Sequence, residues 1–174
     1  MNHHDQTILA IDPGFRELGF AVLASSRLLD HGVLKLGVLP GEARLRRVRE
    51  AMGAWISGYD PAVIVLEHVP QRPLDALAGL PALGRQFRRI ARRHGIEVVS
   101  YSAKTARRTV VGNGWAGKPE VAKAIAGRIP ELRVYRGQDR KWKDRHWQNM
   151  FDAIALALHH QAITQPPSRS RTSG

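Results

Sequence analysis

The sequence predicts an α/β domain in which a sheet carries helices on both faces. Three short apolar runs follow one another near the N-terminus, and the short gaps between them favour an antiparallel meander. After these runs, helical and strand-like patterns alternate along the chain, which is typical of a sheet covered by helices. The length of 174 residues fits one domain with a sizeable core, whereas two domains would be cramped. We expect a single domain over residues 1–164 and a disordered tail over residues 165–174.

Five strands are predicted from short apolar runs that end at turn-forming or polar residues. β-Branched residues are frequent in these runs, as expected of strands. The first run ends at Asp12 and the fourth ends at Glu67. The predicted strands cover residues 7–12, 18–23, 32–36, 63–67 and 96–100.

The helices are predicted from apolar residues that recur at three- and four-residue spacing. The second helix is expected to end at Gly95, since glycine commonly follows the last turn of a helix. Residues 133–145 are expected to be basic and irregular. The predicted helical segments cover residues 41–57, 74–94, 118–128 and 146–161, and a further segment begins at Ala103.

The charge of the chain predicts a nucleic-acid partner. Lys and Arg number 27 against 15 Asp and Glu, which gives a formal net charge of +12. Contacts between such side chains and phosphates release condensed counterions and supply most of the sequence-independent affinity for nucleic acid. A membrane-surface role is the weaker alternative, because no strongly amphipathic basic helix with aromatic anchors is evident.

Other features of the composition bound the cellular context. No stretch approaches the roughly 18 apolar residues of a membrane span, and the N-terminus lacks the basic-then-apolar order of a signal peptide. Cysteine is absent, which excludes disulfides and thiolate zinc sites. We therefore expect a cytoplasmic protein without a membrane partner.

Three acidic residues stand at the borders of three apolar runs. Asp12 and Glu67 end predicted strands, and Asp152 opens the apolar stretch of the last helix. In α/β folds the carboxyl ends of strands commonly carry the site, so Asp12 and Glu67 converge if their strands are neighbours. Divalent cations accept carboxylate oxygens, and two of them about 3.5–4 Å apart meet the demands of phosphodiester hydrolysis. In so basic a chain, the three acids predict a metal-dependent nuclease.

Each of these acids also has an ordinary structural explanation. Asp12 suits a turn before Pro13-Gly14, and Glu67 suits a strand end that meets solvent. Asp152 suits the wet face of an amphipathic helix. The presence of all three acids beside runs that look buried favours the metal site.

Four motifs resemble, in the same order, those of the RuvC-type Holliday-junction resolvases. They are Ile-Leu-Ala-Ile-Asp-Pro-Gly at 8–14 with Leu-Gly at 18–19, Glu-His-Val at 67–69, Tyr-Ser-Ala at 101–103 with Arg-Thr-Val-Val-Gly-Asn-Gly at 108–114 and Lys-Pro-Glu-Val at 118–121, and Asp-Ala-Ile-Ala-Leu-Ala at 152–157. The resemblance is collinear and covers roughly residues 7 to 162. One motif is weak evidence, whereas four in order identify the chain as a member of this family.

The resemblance implies an RNase H-like mixed sheet, with three antiparallel strands followed by parallel strands, flanked by helices. It implies a homodimer that nicks two opposed strands of a four-way DNA junction with Mg²⁺ or Mn²⁺, two ions in each active site. Asp12, Glu67 and Asp152 match three of the four site residues of the family. The fourth normally lies three residues before the last Asp, where this chain has Asn149, which offers a carbonyl oxygen without negative charge. His146, one further turn back, is a second candidate to complete the metal site.

The resemblance also implies residues that bind DNA. Arg107 and Lys118 match positions where the family places basic side chains near the scissile phosphate. Lys118 is expected at the start of a helix, where backbone N–H groups also favour a phosphate. Trp115 is expected to stack on unpaired bases. Further DNA contacts are expected from Lys104, Arg108 and Asn113.

Two features bear on assembly and on the opening of the junction. An apolar stripe suits either a dimer surface or a core contact, and it consists of Leu74, Leu77, Leu80 and Leu83. The family often carries an aromatic wedge shortly after its second acid, whereas this chain has a proline-flanked segment at residues 70–73. We therefore expect junction opening or sequence preference to differ.

The sequence thus predicts a structure-specific DNA endonuclease that resolves four-way junctions in recombination and repair, associated with the nucleoid. A branch-migration complex is a candidate partner. The nearest alternative is a nuclease of the same fold that acts on RNA–DNA hybrids or other branched DNA. A second alternative is a junction-binding protein with weak or no catalysis, because Asn149 stands where a carboxylate is expected.

Overall fold

A five-stranded mixed sheet runs through the computed structural model, which describes residues 6–14, 16–25, 27–68, 79–136 and 147–164. The strands are β1 (Thr7–Asp12), β2 (Glu17–Ala24), β3 (Arg27–Lys35), β4 (Val63–Glu67) and β5 (Glu97–Tyr101). They lie side by side in the order β3-β2-β1-β4-β5. The first three are antiparallel, and β1, β4 and β5 are parallel, which confirms the predicted mixed sheet.

Helices cover both faces of this sheet. They are α1 (Gly41–Tyr59), α2 (Leu80–Arg93), α3 (Ala103–Val111), α4 (Lys118–Arg128) and α5 (Gln148–Thr164), with a 3-10 helix over Pro130–Tyr135. The apolar residues of α1 and α2 pack on one face, and those of α3, α4 and α5 pack on the other. None of the helices in the described ranges is long and apolar enough to cross a membrane.

Alternation along β1 explains why the core has two layers. Ile8 and Ala10 pack with α3, α4 and α5, whereas Leu9 and Ile11 pack with α1 and α2. Successive side chains of a strand point to opposite faces, so Asp12 continues the first set. Burying one large aliphatic side chain contributes about 1.5–3 kcal/mol, so these residues fix β1 in the middle of the fold.

The helix α5 is the central helix of its layer. Its residues from Met150 to Ala157 are buried, and Asp152 is among them. It packs across β1 and β2 and against α3 and α4. Burial on all sides is typical of a helix inside a fold, and here it carries an acidic residue against the sheet.

The strand β3 is longer than the sequence predicted. It begins at Arg27 instead of residue 32, and Arg27 pairs with Ala24 of β2. Ser25 has a φ of 51°, in the left-handed region, which lets the chain reverse within a short hairpin turn. A segment expected to be irregular also has regular structure, since residues 133–135 belong to the 3-10 helix.

The boundaries of α2 and α5 differ from the predicted ones as well. The helix α2 begins at Leu80 instead of residue 74, because Gly79 has a φ of 75°, outside the helical region. Pro81 lies in the first turn, where the missing N–H of proline is tolerated. The helix α5 extends to Thr164, three residues past the predicted end. Residues 74–78, His146 and the predicted tail lie outside the described residues.

Candidate active site

Asp12 and Glu67 stand side by side at one end of the sheet. The strands β1 and β4 pair in parallel with Ile11 opposite Leu66, so the next residue of each strand is a neighbour of the other. Val65 packs in the layer of α5, and by alternation Glu67 faces that layer, as Asp12 does. The two carboxyl groups are close enough to form a side-chain hydrogen bond. The structure thus brings together two of the acids that the sequence singled out.

Asp152 reaches the same place from α5. It is 8% exposed and lies near Glu67 and Lys118, whose charges act on it. The helix comes this close because β2 carries Gly19 against its first turn. A Cβ on Gly19 would lie 1.9 Å from the carbonyl oxygen of Asn149, so any larger residue would push α5 away from the sheet.

Burial raises the pKa of Asp12 well above its ordinary value of 3.8. The hydrogen bond with Glu67 and the negative charges of Glu67 and Asp152 raise this pKa further, whereas Lys118 lowers it. A carboxyl group that is buried beside other carboxylates resists ionisation. Asp12 is therefore favoured as the protonated partner, which donates its hydrogen bond to Glu67.

Burial also raises the pKa of Asp152. The charges of Lys118 and Arg107 oppose this rise, the charge of Glu67 adds to it, and the side chain of Gln148 opposes it as a hydrogen-bond donor. Lys118 Nζ lies 3.7 Å from Asp152 Oδ2. Because about half of the Lys118 side chain is exposed, solvent screens this ion pair and leaves Asp152 incompletely balanced.

The three carboxylates suit a hard divalent cation. They supply oxygen ligands from β1, β4 and α5, and a cation among them relieves the repulsion that raises the pKa of Asp12. Within the described ranges, no three Asp, Glu, His or Cys side chains are drawn around one point at ligand distance. Asp12 is instead hydrogen-bonded to Glu67, and Asp152 is paired with Lys118. Metal binding here therefore requires displacement of a proton and loosening of an ion pair.

The basic residues near the site lie on the two helices that flank α5. Lys118 is the first residue of α4, at the positive end of the helix dipole. Arg107 lies on α3, and its Nε is buried without a hydrogen-bond partner in the parts of the chain that the structure describes. Arg108, the next residue of α3, is exposed. Positive charge thus borders the carboxylates on the side of α3 and α4.

The loop between α3 and α4 presents an exposed tryptophan. Trp115 is 80% exposed, and Lys104 Nζ lies 3.9 Å from the centre of its ring. The side-chain oxygen of Asn113 accepts a hydrogen bond of 2.9 Å from the N–H of Trp115 and fixes the loop. Gly114 packs on Lys104, since a Cβ at this glycine would lie 2.8 Å from Lys104 Cγ. The indole is therefore held in place from below while its other face is open to solvent.

The first turn of α5 carries two amide side chains with different surroundings. Asn149, which was expected to complete the metal site, donates a hydrogen bond of 3.2 Å from Nδ2 to the backbone oxygen of Glu17. Gln148, which sequence analysis did not single out, acts on Asp152 instead. Residues four apart share a face of a helix, so the spacing from Gln148 to Asp152 was a usable signal. Metal ligation by Asn149 stays a prediction.

The remaining residues that the sequence singled out are not in the site as described. Leu83 is fully buried among the apolar residues of α1 and α2, so at this position the apolar stripe is a core contact. Leu80 packs against the same cluster. His146 and residues 70–73 lie outside the described residues.

Comparison with known proteins gives the family. A sequence model described as "Crossover junction endodeoxyribonuclease RuvC" matches residues 8–160. The chain belongs to this family. Membership of the RuvC family confirms the resemblance that the motifs carried, and it confirms the enzyme class, a divalent-metal-dependent nuclease.

Relatives and solved structures of the RuvC family match almost the whole chain. The RuvC protein of Marinobacter nauticus is 30% identical, over 96% of this chain and 93% of its own length. That of Anaeromyxobacter sp. (strain K) is 32% identical, over 89% of this chain and 80% of its own. The Thermus thermophilus RuvC structure has a TM-score of 0.68 at 26% identity and covers 91% of this chain and 96% of its own. T. thermophilus RuvC in complex with a Holliday junction substrate shares the fold, with a TM-score of 0.71 at 24% identity, over 91% of this chain and 94% of its own.

Proposed function

We propose that this protein is a DNA endonuclease that resolves four-way junctions by symmetric, metal-dependent phosphodiester hydrolysis in recombination and repair. The observation that carries the proposal is the meeting of Asp12, Glu67 and Asp152 from three elements beside Lys118 and Arg107. Relatives of similar length are named crossover junction endodeoxyribonucleases, and a structure with the same fold holds a Holliday junction. The net charge of +12 supports binding of a polyanionic substrate.

The three carboxylates hold Mg²⁺ or Mn²⁺ in this proposal, with two ions in the site. Both Glu67 and Asp152 act electrostatically on Asp12, which therefore suits a ligand shared between two ions. When bound, the ions supply the positive charge that stabilises the transition state and the leaving oxygen. Asp12 gives up its proton when the metal binds, so metal affinity increases with pH.

Lys118 and Arg107 hold the scissile phosphate beside the carboxylates. Lys118 pairs with Asp152 in the metal-free site, and it exchanges this partner for a phosphate oxygen once the charge of Asp152 is neutralised. Arg107 brings a guanidinium whose Nε has no acceptor in the described chain. A guanidinium binds phosphate through two parallel N–H donors, which fixes the orientation of the phosphate as well as its position.

Trp115 and its neighbours form a DNA-binding surface next to the site. Lys104 covers one face of the indole, and the exposed face is available to a base that lacks the continuous stacking of a duplex. Stacking of one base on an aromatic side chain is worth about 1–3 kcal/mol. Lys104, Arg108 and Asn113 complete this surface with contacts to the DNA backbone and bases. The branch point of a four-way junction offers bases of this kind.

Symmetric cleavage requires two active sites, and each chain supplies one set of carboxylates. A homodimer with a two-fold axis places two identical sites on two opposed strands. We therefore assign one strand of the junction to each copy of the chain. The association with a branch-migration complex and with the nucleoid stays a prediction.

Strand-labelled synthetic junctions test the proposal. The purified protein is incubated with a four-way junction in Mg²⁺, Mn²⁺ or EDTA, with linear duplex and RNA–DNA hybrid as competitors. We expect paired nicks at symmetric positions, which EDTA and Asp12→Asn abolish while junction binding by Asp12→Asn persists. Preferential cleavage of the hybrid would support the alternative nuclease. Tight junction binding without nicks in either metal would refute the catalytic proposal.

A further inference from the structure

The two amides at the start of α5 have separate tasks. Asn149 uses its donor on the backbone of Glu17, at the start of β2, over 3.2 Å. Its own backbone lies against Gly19 of the same strand. A Cβ on Gly14 would lie 2.9 Å from Asn149 Nδ2, so the amide is also closely packed. Asn149 is therefore placed as an anchor that ties the first turn of α5 to the sheet.

Gln148 has the surroundings expected of a functional group. It is 9% exposed, and its side chain acts as a hydrogen-bond donor toward Asp152. Its Nε2 nevertheless meets no acceptor with full hydrogen-bond geometry among the described residues. An amide nitrogen carries two N–H donors, and leaving a buried donor unsatisfied costs stability. Such a group in a native core calls for an explanation, and function at the site provides one.

We propose that Gln148 is a positioning residue of the active site, which orients the Asp152 carboxylate toward the divalent cations while Asn149 anchors the helix. The inference rests on the proposed metal site, because it acts through Asp152. It adds a residue that neither the motifs nor the family resemblance assigns. Metal ligands are commonly oriented by hydrogen bonds from neighbouring groups, and losing one costs about 10–100-fold in metal affinity or activity.

The charge of Gln148 explains why an amide suits this position. Lys118 also contacts Asp152, but it is half exposed and is needed by the phosphate in the proposed function. When Lys118 turns to the phosphate, Gln148 remains as the donor on Asp152. A neutral donor holds the carboxylate without competing with the cations for its negative charge.

Manganese binding by the full-length protein tests this inference without a cleavage assay. Mn²⁺ is titrated into wild type and Gln148→Met, and free Mn²⁺ is read by electron paramagnetic resonance. Methionine keeps the length of the side chain and removes both donors. We expect about tenfold weaker Mn²⁺ binding, with a thermal midpoint equal to or above that of wild type because a buried unsatisfied donor is removed. Gln161→Met, the same exchange near the other end of α5, is the matched control and is expected to bind Mn²⁺ as wild type does.

A second pair of variants separates positioning from packing. Gln148→Leu guards against poor packing of methionine and is expected to weaken Mn²⁺ binding to the same extent. Asn149→Ser removes the anchor to Glu17 and is expected to lower the thermal midpoint. Equal Mn²⁺ affinity in Gln148→Met, Gln161→Met and wild type would overturn the inference, as would loss of affinity only in step with loss of thermal stability. If wild type itself binds no Mn²⁺, the proposed metal site fails, which is a distinct result.

Discussion

Replacing Gly19 by alanine perturbs the contact that brings α5 to the sheet. The added Cβ would lie 1.9 Å from the carbonyl oxygen of Asn149 and 2.5 Å from the nitrogen of Met150. Both are backbone atoms, so rotation of a side chain cannot relieve the clash. Increasing the shorter distance from 1.9 to 3.0 Å moves the first turn of α5 by about 1.1 Å.

A movement of this size predicts losses of both stability and activity. Forcing an extra methyl group into a packed core costs about 1–3 kcal/mol. Asp152 follows Asn149 by three residues on the same helix and moves with it, and a misplacement of about 1 Å costs about 100-fold in rate. We expect Gly19→Ala to lose about 1–3 kcal/mol of unfolding free energy and about 100-fold in the rate of junction cleavage.

Denaturant unfolding and single-turnover cleavage of a labelled junction measure the two effects. Gly53→Ala is the matched control, because Gly53 lies within α1 and an added Cβ there has nothing within 4 Å. Alanine in a helix interior is favoured over glycine by about 0.5–1 kcal/mol, so this control is expected to gain stability and keep its activity. Wild-type stability and rate in Gly19→Ala would refute the claim that this close approach sets the site.

Three further predictions follow from the surroundings of the site. Trp115→Ala is expected to weaken junction binding roughly 5- to 100-fold in a gel-shift titration, corresponding to the loss of one stacked base; Trp115→Phe should retain most of the affinity, and equal affinity in Trp115→Ala would contradict the stacking assignment. Lys118→Met is expected to lower the slope of log affinity against log salt by about one, because one phosphate contact is lost; an unchanged slope would remove Lys118 from the phosphate. The pKa of Asp12 is raised in the folded protein, so the stability that its proton contributes is complete below the ordinary value of 3.8 and is lost as the pH rises through the raised value. In EDTA the thermal midpoint of wild type should fall over that interval more than that of Asp12→Asn, and equal pH profiles would contradict the assignment.

The convergence of Asp12 and Glu67 was predictable because it follows from a local pattern. Each acid ends an apolar run, and the carboxyl ends of neighbouring parallel strands meet at one end of a sheet. The side-chain alternation along β1 and β4 then turns both carboxyl groups toward α5. Sequence alone therefore carries the position of two acids and the face to which they point.

The surroundings of Asp152 depend on contacts that sequence spacing does not show. Asn149 bonds to Glu17, 132 residues earlier in the chain, and Gly19 of the same strand admits the helix. No local pattern distinguishes Asn149, as an anchor, from Gln148, which turns toward Asp152. The start of α2 was predicted too early for a related reason. Leucine periodicity indicated a longer helix, whereas the backbone conformation of Gly79 sets the observed start.

Cleavage of a supercoiled plasmid that extrudes a cruciform tests the central claim most directly. Two coordinated cuts at the branch point give linear DNA, whereas isolated cuts give nicked circles, and agarose gels separate the two products. We predict linear plasmid in Mg²⁺ or Mn²⁺, and neither product with EDTA or with Asp12→Asn. Nicked circles alone, or bound but intact plasmid in both metals, would contradict the account of a junction resolvase built on Asp12, Glu67 and Asp152.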